Sequence, residues 1–193
     1  MQKERQSTDP RLGQLSRPHM LPLMSLIAQW RSQGLAVPNP DPNDGGVNAK
    51  VLVLLESPGP KAIRSGFISC DNPDKSAENI GTLMASADID RRDTVLWNVV
   101  PYCVSTVTKN KNASAAQIRA AAGHTQAFIE LLPHLKAIVF CGRRAQVARP
   151  LLRMPCEVSE TFHPGAMAYN RQHLREHMQR VFVQIGQTLR THA

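Results

Sequence analysis

Nothing in this chain resembles a metal-binding cysteine array. Its four cysteines, Cys70, Cys103, Cys141 and Cys156, form no CxxC pair and stand at long, irregular intervals. That spacing speaks against a zinc finger or a ferredoxin-type cluster and fits reduced, packed thiols in a reducing compartment. No run of apolar residues approaches the roughly 20 needed to cross a bilayer. The opening MQKERQSTDPRLGQ has no apolar segment of the kind a secretory signal requires. A cytoplasmic protein, in a bacterial cytosol or nucleoid, is therefore expected, with no membrane partner. Walker-type and GxSxG motifs are both absent, which argues against a nucleotide hydrolase of those types. No internal repeat is visible.

Acid is also scarce. Asp and Glu number 15 against 23 Lys and Arg, for a net charge of +8. Such a surplus favours a polyanionic partner. It is unevenly spread. Between Thr94 and Pro155 the only carboxylate is Glu130, against Lys109, Lys111, Arg119, Lys136, Arg143, Arg144, Arg149 and Arg153. The hydrophobic fraction of 42% over 193 residues is enough for one packed domain.

The apolar pattern alternates between two periods. Residues 1–18 are polar and basic and read as a loose arm. Leu23, Ile27 and Trp30 lie at helical spacing within 20–33, and residues 38–48 are rich in turn formers. This divides the chain into an N-terminal arm with a leading helix, 1–46, and a main domain, 47–193. KVLVLL at 50–55, TVLWNVV at 94–100, KAIVFC at 136–141 and a weaker segment at 157–162 read as buried strands. Helices are expected from Asp74 to about Ala87, over 114–132, from about Arg143 to Arg153, and over 170–189. The alternation predicts a three-layer α/β/α sandwich with a central four-stranded, mostly parallel sheet. Right-handed crossovers put every strand's carboxyl end on one edge, where ligands bind.

That rule selects four loops: Glu56-Ser57-Pro58-Gly59-Pro60, the stretch from Trp97 through Asn98 to Tyr102, Cys141-Gly142-Arg143-Arg144, and Phe162-His163-Pro164-Gly165. ESPG after the first strand, Asn98 within WNVVPY, and FHPGAMAYNR after the last strand resemble the motifs of the uracil-DNA glycosylase superfamily, in order and spacing, over about 47–190. The first motif is most similar to the family-four type, although the cysteines lack that type's cluster spacing, so no iron–sulfur centre or other cofactor is expected.

The resemblance implies roles for individual residues. His163 would donate a hydrogen bond to the pyrimidine O2 as charge grows there. Asn98 would read the edge of a flipped base, its amide offering both a donor and an acceptor. Phe67 would stack on the base, and Pro58 and Gly59 would line its pocket. The most uracil-restricted family has Tyr at the Gly59 position, where it blocks any group on C5; Gly removes that wall. Many members carry Asp or Asn where this chain has Ser57, and others have acids just downstream of the Pro-Gly, where this chain has Lys61-Ala62-Ile63-Arg64. The nearest carboxylates are Glu56, Asp71, Asp74 and Glu78. Among them Asp71 is nominated for water activation or oxocarbenium stabilisation, with Glu56 second. Arg143, Arg144 and Arg171 would contact DNA phosphates, and Met167 or Tyr169 would wedge into the duplex.

The resulting expectation is a monomeric, monofunctional glycosylase acting on double- or single-stranded DNA, with uracil or a C5-modified pyrimidine as substrate. One alternative is an antiphage enzyme that excises a hypermodified base such as glucosylated hydroxymethylcytosine. Another is a non-catalytic binder of DNA or damaged bases with the same fold. His173 and His177 in HLREH match a zinc-protease pattern, but no carboxylate follows Glu176 to complete a site, so no metal is expected.

Overall fold

The computed structural model describes residues 9–104 and 112–191, so Lys109 and Lys111 of the basic stretch lie outside the described residues. Helix α1, Leu21–Ser32, opens with Pro22 in its first turn and buries Leu23, Ile27 and Trp30, the spacing of one helical face. A two-residue strand β1, Asn39–Pro40, follows within the turn-rich segment. Strand β2, Val51–Leu55, is the first long strand. It is followed by a short helix α2, Pro60–Ser65, which the sequence pattern did not reveal. Pro60 suits the first helical position, and Gly66 ends the helix in a left-handed conformation (φ 77°). Strand β3, Phe67–Ile68, pairs in parallel with β1. Helix α3, Lys75–Ser86, is capped by the Asp74 carboxylate, which accepts hydrogen bonds from the Ser76 and Ala77 amides at 3.0 Å each.

The remaining elements follow the alternation. They are β4 (Thr94–Asn98), α4 (Ala115–Glu130) with a Ser114/Gln117 capping box, β5 (Ala137–Cys141) and α5 (Arg143–Gln146). Strand β6 (Glu157–Thr161), α6 (Ala166–Tyr169) and α7 (Gln172–Thr191) complete the chain. The expected helix from 143 to 153 is cut short: α5 covers one turn, and a 3-10 turn over Arg149–Leu151 carries Pro150, which cannot continue an α-helix. The closing helix begins two residues later than expected because α6 forms a separate turn before it.

The four long strands form one all-parallel sheet in the order β4-β2-β5-β6. Successive strand residues face opposite sides, so β4 divides its side chains between two layers. Trp97 stacks on Phe128 of α4, with ring centroids 4.2 Å apart, and meets Trp30 of α1. Its neighbours Leu96 and Asn98 face the other side, where α3 packs with α7. Helices on both faces make the three-layer α/β sandwich, and all four carboxyl ends share one edge.

Residues 9–18, expected to be loose, are docked from Asp9 onward. Arg11 bridges Asp9 at 2.7 Å and the fully buried Asp41 at 2.6 Å, and its guanidinium lies 4.2 Å from the centre of the Phe67 ring. Arg91 reaches the same Asp41 at 3.0 Å, together with Asp44 and Asp71. Burial pushes the Asp44 carboxyl up to about 7, against the pull of Arg91. No described helix is long and apolar enough to cross a membrane.

Candidate active site

At the carboxyl edge of the sheet lies a cleft of about 380 Å³, within the range of small-molecule sites. Three of the four selected loops line it. The first contributes Glu56, Ser57, Pro58 and Gly59, strand β4 contributes Asn98, and the last loop contributes His163. The loop after β5 lies underneath rather than in the lining: a Cβ on Gly142 would come within 2.8 Å of the His163 Cβ. Helix α3 and its cap contribute Asp74, Ser76, Ala77 and Ile80 to the lining.

Asn98 ends its strand buried, with 3% of its surface exposed, and pairs in register with Leu55. Its Oδ1 has no hydrogen-bond partner among the described residues. Other buried polar atoms share that state, but among the described residues only Asn98 belongs to the cleft lining. A buried carbonyl oxygen without a donor is costly unless a ligand supplies one. The backbone beyond it is held firmly, since the Thr125 hydroxyl of α4 donates to the Val99 carbonyl at 2.9 Å.

His163 lines the cleft and is exposed to solvent. Its Nδ1 accepts a hydrogen bond from the Gly165 amide at 3.0 Å. A nitrogen that accepts carries no proton, so the neutral ring bears its hydrogen on Nε2. Burial by surrounding protein lowers the imidazole below its ordinary value, while Asp74 acts in the opposite direction. The ring is exposed on one side and crowded on the other. Gly165 lies against the ring, where a Cβ would sit 3.0 Å from Nδ1, and Gly142 lies against the His163 Cβ and backbone. Gly142 also has φ +92°, so both its space and its backbone require glycine.

Two expected residues lie elsewhere. Phe67 is fully buried beneath Arg11 and does not line the cleft; its neighbour Ile68 does. The two occupy successive positions of β3 and so point to opposite sides, which turns Phe67 away from the cleft. Asp71 is likewise outside the lining, with its carboxylate engaged by Arg91 at 2.7 Å. The carboxylates that do line the cleft are Glu56 and Asp74. Glu56 accepts a hydrogen bond from the Ala113 amide, and Asp74 spends one oxygen on the α3 cap.

Outside the lining, Met167 is 83% exposed on α6, and Tyr169 is half-buried with Arg175 above its ring. Arg143, Arg144 and Arg171 are exposed and outside the lining, whereas Lys61 lies within it. His177 meets the Phe162 ring edge-on at 5.1 Å, which uses it for packing. Among the described residues no group of three His, Cys, Asp or Glu side chains is placed to hold a metal ion. The sequence reading missed Asn79, which is buried on α3 and donates to the Pro164 carbonyl at 2.6 Å. An Asn among Ala77, Ile80, Leu83 and Met84 on the buried face of a helix was the available signal, because Asn is a poor helix former there without a tertiary partner.

A parallel sheet that brings a buried amide and a histidine to one cleft at its carboxyl edge defines an α/β protein with its candidate site at the strand ends. The chain belongs to the uracil DNA glycosylase superfamily, whose family model matches residues 42–187. Among solved structures it is similar to the solution NMR structure of a candidate uracil DNA glycosylase from Methanosarcina acetivorans. That match has 19% identity and a TM-score of 0.45, covering 71% of this chain and 91% of the other. It is also similar to a mimivirus UNG variant in complex with UGI, with 15% identity and a TM-score of 0.39, covering 81% of this chain and 68% of the other. No curated protein matches.

Proposed function

We propose that the protein is a monofunctional DNA glycosylase that turns a pyrimidine nucleotide out of its strand and hydrolyses the N-glycosidic bond. The observation that carries this reading is the pairing, in one cleft, of an Asn98 Oδ1 without a partner among the described residues with a His163 whose free proton is on Nε2. Asn98 reads the edge of the base. As the C1′–N1 bond breaks, its electron pair moves onto the base, and the Nε2–H of His163 stabilises the charge on O2. A neutral histidine suits that task because it donates without giving up its proton. Water adds its oxygen to C1′ and passes a proton to a carboxylate, leaving an abasic site, and the base departs as an anion that takes up a proton from solvent.

Asp74 and Glu56 are the carboxylates in position for the water, with Asp74 favoured because the α3 cap orients it. This replaces Asp71 in the role and answers the lack of an acid at Ser57. Two cleft carboxylates also favour catalysis over binding without turnover. Ile68 takes the place of Phe67 as the apolar contact on β3. Arg143, Arg144 and Arg171 contact phosphates, and the exposed Met167 is the wedge that fills the gap left by the flipped nucleotide.

Uracil is the first substrate to test. A second reading has an observation in its favour: a Cβ built on Gly59 would meet nothing within 4 Å, so nothing closes the cleft at the position where a Tyr would exclude C5 substituents. A hydroxymethylated or glucosylated cytosine could then enter, in keeping with a role in defence against phages that modify their DNA. Incubation with uracil-containing and C5-modified oligonucleotides, followed by alkali, tests both readings. Scission at uracil alone excludes the second, scission at modified cytosine alone selects it, and no scission with any base excludes the enzyme. Lys61 serves phosphate contact in this scheme, so borohydride should trap no covalent DNA adduct.

A further inference from the structure

The Pro164–Gly165 peptide is held at both ends. Its carbonyl accepts from Asn79 Nδ2 at 2.6 Å, and its N–H donates to His163 Nδ1 at 3.0 Å. The two groups belong to one planar amide, so fixing the carbonyl fixes the direction of the N–H. A hydrogen bond to the carbonyl also polarises the amide and strengthens its donor end. Asn79 is buried and rooted in α3, a 12-residue helix, 85 positions away in sequence. Its neighbour Ser76, one turn earlier, meets the same loop, with the Ser76 Oγ 3.5 Å from where a Gly165 Cβ would lie. The Gly165 carbonyl is also held, accepting from the Ala168 and Tyr169 amides at 3.1 and 3.0 Å, but among the described residues Asn79 is the side chain that bonds to the Pro164–Gly165 amide from another element.

We propose that Asn79 is a positioning residue that sets the orientation and tautomer of His163 through the Pro164–Gly165 peptide. The inference rests on the glycosylase reading for its catalytic meaning, while its structural content stands apart from substrate. Without the Asn79 donor the Pro164–Gly165 amide plane can tilt about the bonds that flank it, the Gly165 N–H aims less well at Nδ1, and the ring proton divides between the two nitrogens. The fraction with a proton on Nε2, the form that assists departure of the base, then falls. Asn79 does not line the cleft, so substrate affinity is little affected.

Nitrogen-15 NMR of the labelled full chain reads the tautomer directly, with the His163 signals identified by their loss in His163→Gln. The wild type is expected to show the Nε2–H form, Asn79→Ala and the isosteric Asn79→Asp a mixture, and Asn79→Ser, which keeps a short donor, a partial return. In kinetics Asn79→Ala should lower kcat by about 10-fold with KM nearly unchanged, in line with the loss of a group that orients a functional histidine. A wild type in the Nδ1–H form, or folded variants that keep the wild-type pattern, would overturn the proposal. Should neither variant fold, scalar coupling across the hydrogen bond from Asn79 Nδ2–H to the Pro164 carbonyl decides in the wild type: its presence supports the relay and its absence ends it. If the wild type cleaves no oligonucleotide, the glycosylase reading fails while the tautomer result stands. An active wild type with an unchanged tautomer in the variants defeats this inference alone.

Discussion

Gly142 lies directly beneath His163: a Cβ there would approach the histidine Cβ to 2.8 Å, and the Gly142 backbone has φ +92°. One residue thus joins the end of β5 to the group at the end of β6. Gly142→Ala is expected to cost roughly 1–3 kcal/mol of stability from backbone strain alone. It should also displace the imidazole and lower kcat by at least about 10-fold, since small misplacements of reacting groups carry large penalties. Thermal unfolding and steady-state kinetics on the same preparation separate the two effects. Wild-type kinetics in a destabilised Gly142→Ala protein would remove His163 from the active machinery.

Asn98→Ala should lower kcat/KM by roughly 10- to 100-fold, equivalent to about 1–3 kcal/mol for a lost hydrogen bond to a buried polar ligand. Stability should be unchanged or slightly raised, because the substitution removes a buried oxygen that has no partner among the described residues. This opposite movement of activity and stability is checked by pairing kinetics with chemical denaturation. A large loss of stability would assign Asn98 a structural role instead.

Arg11 tests how far the N-terminal segment belongs to the site. Its guanidinium covers Phe67, bridges the buried Asp41 and donates to the Ser69 hydroxyl at 3.3 Å, and Ser69 lines the cleft. Arg11→Ala leaves Asp41 with Arg91 as its remaining cation, so the expected cost is about 2–3 kcal/mol, somewhat less than for an isolated buried pair. The melting temperature should fall by roughly 5–10 °C. An unchanged melting temperature would show that residues 9–18 do not support the cleft wall.

The alternation of strands and helices, the sheet and its working edge were all legible in the sequence, because buried parallel strands such as VLVLL and AIVFC leave continuous apolar runs. The structure brings Asn98, at the end of such a strand, and His163, two residues after the weaker and mostly polar β6, into one cleft. The residues that lie outside the cleft, against expectation, are those where local pattern carries no directional information. Phe67 and Ile68 differ by one position in a two-residue strand, and only its pairing with β1 decides which of them faces the cleft. Asp71 and Asp74 both lie in a turn ahead of α3, and the deciding factor was Arg91, 20 positions away, which takes Asp71. Asn79 depended on a contact 85 positions away that no local pattern encodes.

The pH dependence follows from the environment of His163. Burial shifts its titration below the ordinary 6.5, so the neutral, donating ring should predominate at neutral pH and persist into mildly acidic solution. As pH falls through the lowered value, the ring gains a second proton on Nδ1 and loses the bond from Gly165. NMR titration of the assigned His163 should give a midpoint under 6.5, with the acid limb of kcat/KM attributable to this residue at the same pH. A midpoint above 6.5 would mean that Asp74 outweighs burial.

The most direct test is an alkali-scission assay on 5′-labelled oligonucleotides carrying uracil, hydroxymethylcytosine or glucosylated hydroxymethylcytosine at a single position, with wild-type protein and His163→Ala side by side. The predicted result is cleavage at one or more of these bases by the wild type and at least about 100-fold slower cleavage by the variant, as expected for loss of a preorganised donor to developing charge. No cleavage by the wild type at any of the three bases, or equal cleavage by the two proteins, would contradict the account.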